Sequence, residues 1–411
     1  MKKPKNVALI TPSWPTGSLA NGIVTYIEQM YGGFKAIGLE CAVLTWRGGD
    51  ETNLDIYPII EKKSSALLKI SNKVRGLLEL GQGSQGESGT RIAETLKGIP
   101  VDKQPFIIEQ AENFGASYRT QQCTNIPVIT RLHGPYFLHG DIDNHPKDKA
   151  YLNRLENEKK AILYTAGVSS PSRDVLQKTI DFYNVELEGA AVIPNPIAIP
   201  EERETWHYEA CDPNRLLFVG RFDNRKGGDL VVDAFAKLLQ QFPHAMLDFV
   251  GPDIGYEDED GKRWLIKDYI EEKYPQMLGQ EKIKIHGKLP AEKIKKFRQQ
   301  AFVTLIASRY DNFPYTVMEA LSYGSPIVAA NVGGIPEIVN DGISGVLFNG
   351  GDADSLLQSI ANLLKNHSFA IKLGENARRE AIAKYSITTV ASQMSDFYQE
   401  RLARYRLEQQ T

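Results

Sequence analysis

The feature that most constrains this chain is a short apolar run, Phe302-Val303-Thr304-Leu305-Ile306-Ala307, that passes through Ser308-Arg309-Tyr310-Asp311-Asn312-Phe313 into a proline. A run this short and this rich in β-branched residues predicts a buried strand. Pro314 suits a first helical turn, where its missing N–H would be unpaired anyway. The helix is expected from about Pro314 to Tyr323, stopping before Gly324 and Pro326. Strand, tight loop and helix in that order form half of a crossover unit, and a chain of such units builds a parallel sheet with helices on both faces.

The same alternation runs through the whole chain. Strand patterns fall at Asn6–Ile10, Cys41–Trp46, Phe106–Glu109, Val128–Thr130 and Ala166–Ser172, then at Arg215–Gly220, Met246–Val250, Ile283–His286 and Ile327–Ala330. Between the two sets lies a proline-rich, charged stretch, 194 to 213, read as a linker. With 411 residues there is length for two core-bearing domains. We expect an N-terminal domain over 1–195, a C-terminal domain over 205–387, and a last helix, from about Thr388 to Arg404, that crosses back onto the first domain. Its Val390, Met394, Phe397 and Leu402 form the buried stripe.

Composition matters here for what it excludes. A net charge of −3 gives no reason to expect nucleic acid as a partner. Cys41, Cys123 and Cys211 are scattered and odd in number, which fits neither a disulfide framework nor a metal cluster and suits a reducing cytoplasm. Val7–Ile10 is too short for a signal peptide's apolar core, and no later run is long enough to span a bilayer. The expected location is cytoplasmic. Residues 62–80 alternate Leu67, Leu68, Ile70, Val74, Leu77 and Leu78 with Lys69, Lys73 and Arg75. That stripe either packs a core on one side or touches anionic lipid at the inner membrane face, or a lipid-linked acceptor. Gly81–Thr90 reads as a flexible loop.

Several positions carry chemistry. The start of the 314–323 helix offers unpaired backbone N–H groups that favour an anion. Asp311 lies just before it and Glu319 inside it, and ionised carboxylates accept hydrogen bonds from sugar hydroxyls. A nucleotide sugar has a pyrophosphate between two hydroxyl-rich rings and fits such a frame. The competing reading makes Asp311 a helix cap and Glu319 a solvated residue. Gly333-Gly334 forms a strand-to-helix turn that lets backbone approach a ligand, or is turn chemistry alone. Arg221 and Lys226, in Arg221-Phe222-Asp223-Asn224-Arg225-Lys226-Gly227-Gly228, combine cations and glycines ahead of a helix, an anion cradle or else a solvated basic loop. Gly22 opens a helix after a Pro/Gly/Ser loop, and the absence of GxGxxG weakens a dinucleotide reading. His133 follows a strand, where ligands sit in open α/β sheets. His139 and His145 read as loop residues, and His286 as a strand end without a chemical role. The 253–280 insert has no assigned role.

Taken together, residues 311–345 (DNFPYTVMEALSYGSPIVAANVGGIPEIVNDGISG) closely resemble the donor-binding signature of the retaining glycosyltransferases of family 4. The signature has two acids separated by seven residues, then Ala, a small-residue turn and a Gly-Gly turn. Here the first acid is Asp311 where Glu is usual. The resemblance implies the GT-B fold: two Rossmann-like, doubly wound domains facing across a cleft. It implies transfer of a sugar from a nucleotide donor to a hydroxyl acceptor (glycan, lipid-linked or small molecule) with retention, and neither metal nor other cofactor. It also gives roles. Arg221 and Lys226 clamp the diphosphate, His133 approaches the donor sugar, and Asp311 and Glu319 hold hydroxyls. Asn312, Phe313, Pro314, Tyr315, Thr316, Gly333 and Gly334 line the donor site, and Gly22 faces acceptor and phosphate. Alanine at Arg221, Lys226 or Glu319 is expected to abolish transfer and leave the fold intact. A nucleotide-sugar epimerase of the same two-domain plan and a non-catalytic nucleotide-sugar binder are the alternatives.

Overall fold

The computed structural model describes residues 6–15, 21–50, 52–59, 83–140 and 146–409, without side chains at 83–87 and 139. The basic stripe expected at 62–80, and His145, lie outside the described residues. By internal contacts the chain divides into one unit of Met1–Pro196 with Ile387–Thr411, and a second of Ile197–Ser386.

The first unit is built on seven parallel strands in the order β3-β2-β1-β4-β5-β6-β7. These are β1 (Asn6–Thr11), β2 (Glu40–Thr45), β3 (Ile56–Pro58), β4 (Ile107–Ala111), β5 (Val128–Arg131), β6 (Gly167–Ser170) and β7 (Ala191–Val192). β1 and β4, in the middle of the sheet, are almost wholly buried, which is why β1 reads as a continuous apolar run, Val7–Ile10, rather than an alternating one. The helix Gly22–Ala36 turns Ile23, Tyr26, Ile27 and Met30 inward, the face its spacing predicts. Against it lies the last helix, Ile387–Glu408, which buries Val390, Met394, Phe397 and Leu402. A Cβ on Gly33 would sit 2.5 Å from the Ile387 carbonyl oxygen, so only glycine permits this approach. The Tyr398 hydroxyl donates to Glu109 Oε2 (2.7 Å) and fastens this helix to β4.

Residues 83–90 are helical, contrary to the loop expected there. They form the first half of the helix Gly83–Lys97, whose Ile92 and Leu96 are buried in the core. Gly89, one of the residues that suggested a loop, serves close packing instead. A Cβ at Gly89 would sit 2.4 Å from the Arg119 carbonyl oxygen, on the neighbouring helix Ala116–Cys123.

The second unit has six parallel strands in the order β13-β10-β8-β14-β15-β16, with a small sheet β12-β11-β9 beside them. The strands are β8 (Asp212–Val219), β9 (Phe222–Asp223), β10 (Met246–Val250), β11 (Asp253–Glu257), β12 (Arg263–Trp264), β13 (Ile283–Gly287), β14 (Ala301–Ile306), β15 (Ile327–Ala330) and β16 (Val346–Phe348). The 253–280 insert supplies β11, β12 and the buried Trp264, Tyr269 and Ile270, so it widens this core. The stretch read as linker is partly packed as well. Trp206 is buried, its backbone N–H donates to the Tyr323 carbonyl, and its indole N–H to the Ala301 carbonyl, both at 2.8 Å.

Candidate functional site

In the second unit, the loops leaving the C-terminal ends of β8, β14 and β15 meet at one place. These strands are neighbours in the sheet, so their loops must emerge side by side. Gly227, in the left-handed conformation (φ 66°), brings the first loop against the second, and a Cβ there would overlap the Ala307 carbonyl oxygen at 1.9 Å. Across this seam Lys226 Nζ lies 2.5 Å from Asp311 Oδ2, with side-chain exposures of 23% and 11%. Arg309 makes a two-pronged pair with Asp229, at 2.9 and 2.5 Å. The third loop closes on the second through Gly333 (φ 55°) and through the Gly334 N–H, which donates to the Asp311 carbonyl at 3.0 Å.

Arg221 joins this cluster through Asp223. The Asp223 carboxylate receives Arg221 Nη2 at 2.6 Å on one oxygen and the backbone N–H groups of Arg225 and Lys226 (3.1 and 2.8 Å) on the other. Asp223 therefore shapes the loop that carries both cations. The residue types before it did suggest a cradle, but its own role as anchor was missed.

The helix that anchors the sequence argument spans Tyr315–Tyr323, with Pro314 as its N-cap and Gly324 in the left-handed conformation at its end. Pro314 itself offers no side-chain hydrogen bond as a cap. Tyr315 and Thr316 are half-buried in its first turn. Asn312, Phe313 and Pro314 are buried, and the Phe313 ring packs edge-on to Tyr385 at 5.9 Å, in a core with Val317 and Met318. Asp311 does not act as the cap. Glu319, one turn in, pairs with Arg298: its Oε2 lies 2.5 Å from Nη2 of Arg298, whose side chain is 1% exposed. Arg298 sits on Ala291–Gln300, a helix whose pattern gave no signal that one of its basic residues faces inward.

Two of the expected residues belong to the first unit. Gly22 opens its helix, with Asn21 capping; among the described residues a Cβ there would meet nothing within 4 Å. His133 follows β5, its ring edge-on to Tyr26 at 4.8 Å. Burial and the neighbouring Arg131 guanidinium push the imidazole well below its usual range, so it is neutral at pH 7. Its loop hangs on a carboxylate that sequence reasoning did not single out. Glu112 receives the His133 N–H (3.0 and 3.1 Å) and the Gly134 N–H (2.8 Å). Burial, with nearby Glu158 adding to it, pushes the Glu112 carboxyl up to about 7. Glu158 in turn holds the Tyr136 and Phe114 N–H groups and Arg154. His139 falls in the short helix Phe137–Gly140 rather than in a loop. His286 ends β13 against Asp248, at 2.7 Å.

Among the described residues, no three His, Cys, Asp or Glu side chains gather as a metal-ligand cluster, and no helix is long and apolar enough to cross a membrane. Chemically, the second unit's cluster sets fixed cations and a carboxylate beside a helix N-terminus, suited to a ligand carrying both anionic and hydroxyl groups.

Comparison with known proteins leads the same way. The model of the family "Glycosyl transferases group 1" matches residues 202–380. A D-inositol 3-phosphate glycosyltransferase of Thermobifida fusca is 30% identical over 162 residues, 39% of this chain and 36% of that protein. An uncharacterised glycosyltransferase of Methanocaldococcus jannaschii is 27% identical over 187 residues, 46% of this chain and 45% of that one. These alignments thus span less than half of each relative. Among solved structures, a sucrose-phosphate synthase from Thermosynechococcus elongatus matches with a TM-score of 0.68 at 20% identity, over 97% of this chain and 100% of that one. Anabaena HepE in complex with UDP-glucose matches at 0.65 and 15%, over 96% and 99%. The likenesses extend across both sheets, and the fold is GT-B.

Proposed function

We propose, from the match of residues 202–380 to the model of the glycosyl transferases group 1 family, that the chain moves a sugar from a nucleotide-sugar donor to a hydroxyl acceptor with retention of anomeric configuration. The observation that carries the reading is the seam in the second unit: Lys226 held on Asp311 beside the N-terminus of the helix Tyr315–Tyr323. Arg221 and Lys226 neutralise the donor's diphosphate, helped by the positive end of that helix. Asp311 and Glu319 accept hydroxyl hydrogen bonds from the sugar and the ribose.

In the step itself the bond from the anomeric carbon to the diphosphate oxygen breaks. The bond to the acceptor oxygen forms on the same face, and the acceptor's proton passes to the departing phosphate oxygen. Fixed cations aimed at the charge that develops on the leaving group lower the barrier without reorganising, and removal of one such donor commonly costs ~100- to 1,000-fold in rate. No further cofactor is invoked. UDP-glucose, present in the HepE complex, is the first donor to try. The three cysteines are unpaired, which accords with a reducing cytoplasm as the place of action.

The test is a thermal-shift panel of UDP-, GDP- and ADP-sugars, since a ligand bound to the native state raises its melting point. One donor family should stabilise the wild type and fail to stabilise Lys226→Ala. Incubation of that donor without acceptor should release little product. Formation of a new nucleotide sugar would make the protein an epimerase instead, and no stabilisation by any nucleotide sugar would end the proposal.

A further inference from the structure

The insert after β10 begins with the hairpin β11–β12, and this hairpin lies against the loop that carries Arg221 and Lys226. Gly251, just before the insert, brings the two stretches together: a Cβ there would lie 1.8 Å from the Gly220 carbonyl oxygen. From that point the loop and β11 run parallel. The Phe222 N–H donates to the Pro252 carbonyl at 3.0 Å, and Phe222 and Asp223 pair with Asp253 and Gly255.

Where β9 ends, a side chain takes over the ladder. The Asn224 amide donates to the Glu257 carbonyl at 2.7 Å and accepts the Glu257 N–H at 2.9 Å, as a neighbouring strand's main chain would. Tyr256 supplies a second tie. The Arg309 guanidinium lies 5.3 Å from its ring centre and also donates to the Asn224 carbonyl at 3.3 Å. The backbone N–H of Arg309 donates to the Arg225 carbonyl at 2.8 Å. The loop is thus stitched on one side to the hairpin and on the other to the segment after β14. The bonds between Asn224 and Glu257 are exposed, so they add little to the core, and their effect is to fix main chain.

We propose that this hairpin is a positioning element for the diphosphate clamp, with Asn224 and Tyr256 as positioning residues that act through the loop rather than on the donor. The proposal rests on the transferase reading above. Loops between a strand and a helix are ordinarily among the more mobile parts of a domain. Two cations on a mobile loop would have to be ordered as charge develops on the leaving group, and a main chain fixed beforehand removes that reorganisation. Asp223 pins the loop from within, through the N–H groups of Arg225 and Lys226. The hairpin pins it from outside, at the residue between them.

The test uses the full chain carrying Asn224→Ala, or Tyr256→Leu beside its conservative partner Tyr256→Phe. In the ligand-free protein, amide hydrogen exchange over 221–228 should quicken at least ~5-fold in Asn224→Ala and Tyr256→Leu, with the central strands unchanged. The nucleoside diphosphate of the donor identified by thermal shift should give these two variants about half the wild-type shift. Their kcat should fall about tenfold with acceptor KM unchanged. Tyr256→Phe keeps a ring beside Arg309 and should match wild type in every readout. A hairpin that only packs the core would lower the melting point and leave both the diphosphate shift and kcat as they are. Normal exchange over 221–228 in Asn224→Ala overturns the proposal, as does faster exchange with kcat and diphosphate shift unchanged. Should Tyr256→Leu fail to fold, Asn224→Ala decides alone. If the wild type responds to no nucleotide, the transferase reading fails, and the exchange arm still decides whether the hairpin holds the loop.

Discussion

Gly333→Ala should damage the donor site from a position that contributes no side chain to it. Gly333 has φ 55°, and an added Cβ would lie 2.1 Å from the Asp311 carbonyl oxygen and 3.0 Å from the Tyr310 ring. The left-handed backbone alone costs an alanine ~1–2 kcal/mol. The overlap is more than an ångström against main chain, so Asp311 must move, and the Gly334 N–H bond to its carbonyl (3.0 Å) is strained or lost, another ~1 kcal/mol. The sum is about 2–3 kcal/mol, or a fall of roughly 5–10 °C in Tm for a unit of this size. Asp311 carries the partner of Lys226, so displacement by about an ångström should cost on the order of 100-fold in turnover. Gly342→Ala is the control: its φ is 69° but nothing lies within 4 Å of the added Cβ, so it should show only the conformational part and near-normal turnover. Differential scanning fluorimetry and diphosphate release measure both. If Gly333→Ala melts no lower than Gly342→Ala and turns over normally, the seam does not depend on this close approach.

Other substitutions separate charge from packing. Arg221→Ala and Lys226→Ala should each lower kcat ~100-fold or more, with Arg221→Ala, whose side chain is 43% exposed, folding normally; steady-state kinetics and melting decide. Glu319→Ala should lose stability by ~1–3 kcal/mol, because it takes from the buried Arg298 a half-exposed carboxylate partner; Arg298→Met, which removes the buried cation itself, should melt near wild type yet raise donor KM. For Glu112, the folded carboxyl titrates at about 7 against an unfolded value near 4.5, so the folded state holds the extra proton between those limits and stability falls as pH rises through that window. Urea titrations of wild type and Glu112→Gln from pH 4.5 to 7.5 check it: the variant should lose most of that slope, and an unchanged slope would place the titration elsewhere.

Much of the fold was legible because a parallel sheet buried on both faces writes each strand as one apolar run. Val7–Ile10 and Phe302–Ala307 could hardly be anything else. Helix faces followed for the same reason, as Leu230, Val231, Ala234, Phe235 and Leu238 show by turning inward together. The failures came where composition and packing point opposite ways. Gly81–Thr90 is poor in apolar residues, yet Gly89 is small because another helix's backbone presses on it. Trp206 sits among charged and prolyl neighbours that suggested a linker, and its burial depends on a contact with Ala301, far along the chain.

The candidate site divides along the same line. Arg221, Lys226 and Asp311 stand in loops after strands, and local pattern is enough to put them there. Asp223 acts on one of those loops, Glu112 on the loop of His133 and Arg298 on Glu319, from positions whose meaning depends on what lies opposite in space. This bears on the shorter first acid. Read alone, an aspartate in the usual glutamate's place falls one methylene short of a ligand. In the structure, however, Gly333 and Gly334 fix its main chain and Lys226 reaches its carboxylate at 2.5 Å, so the cation closes part of the distance. A carboxylate held so near Lys226 anchors that cation at the seam. Its reach is set by the pair, and the length of its own side chain matters less than the loop that presents its partner.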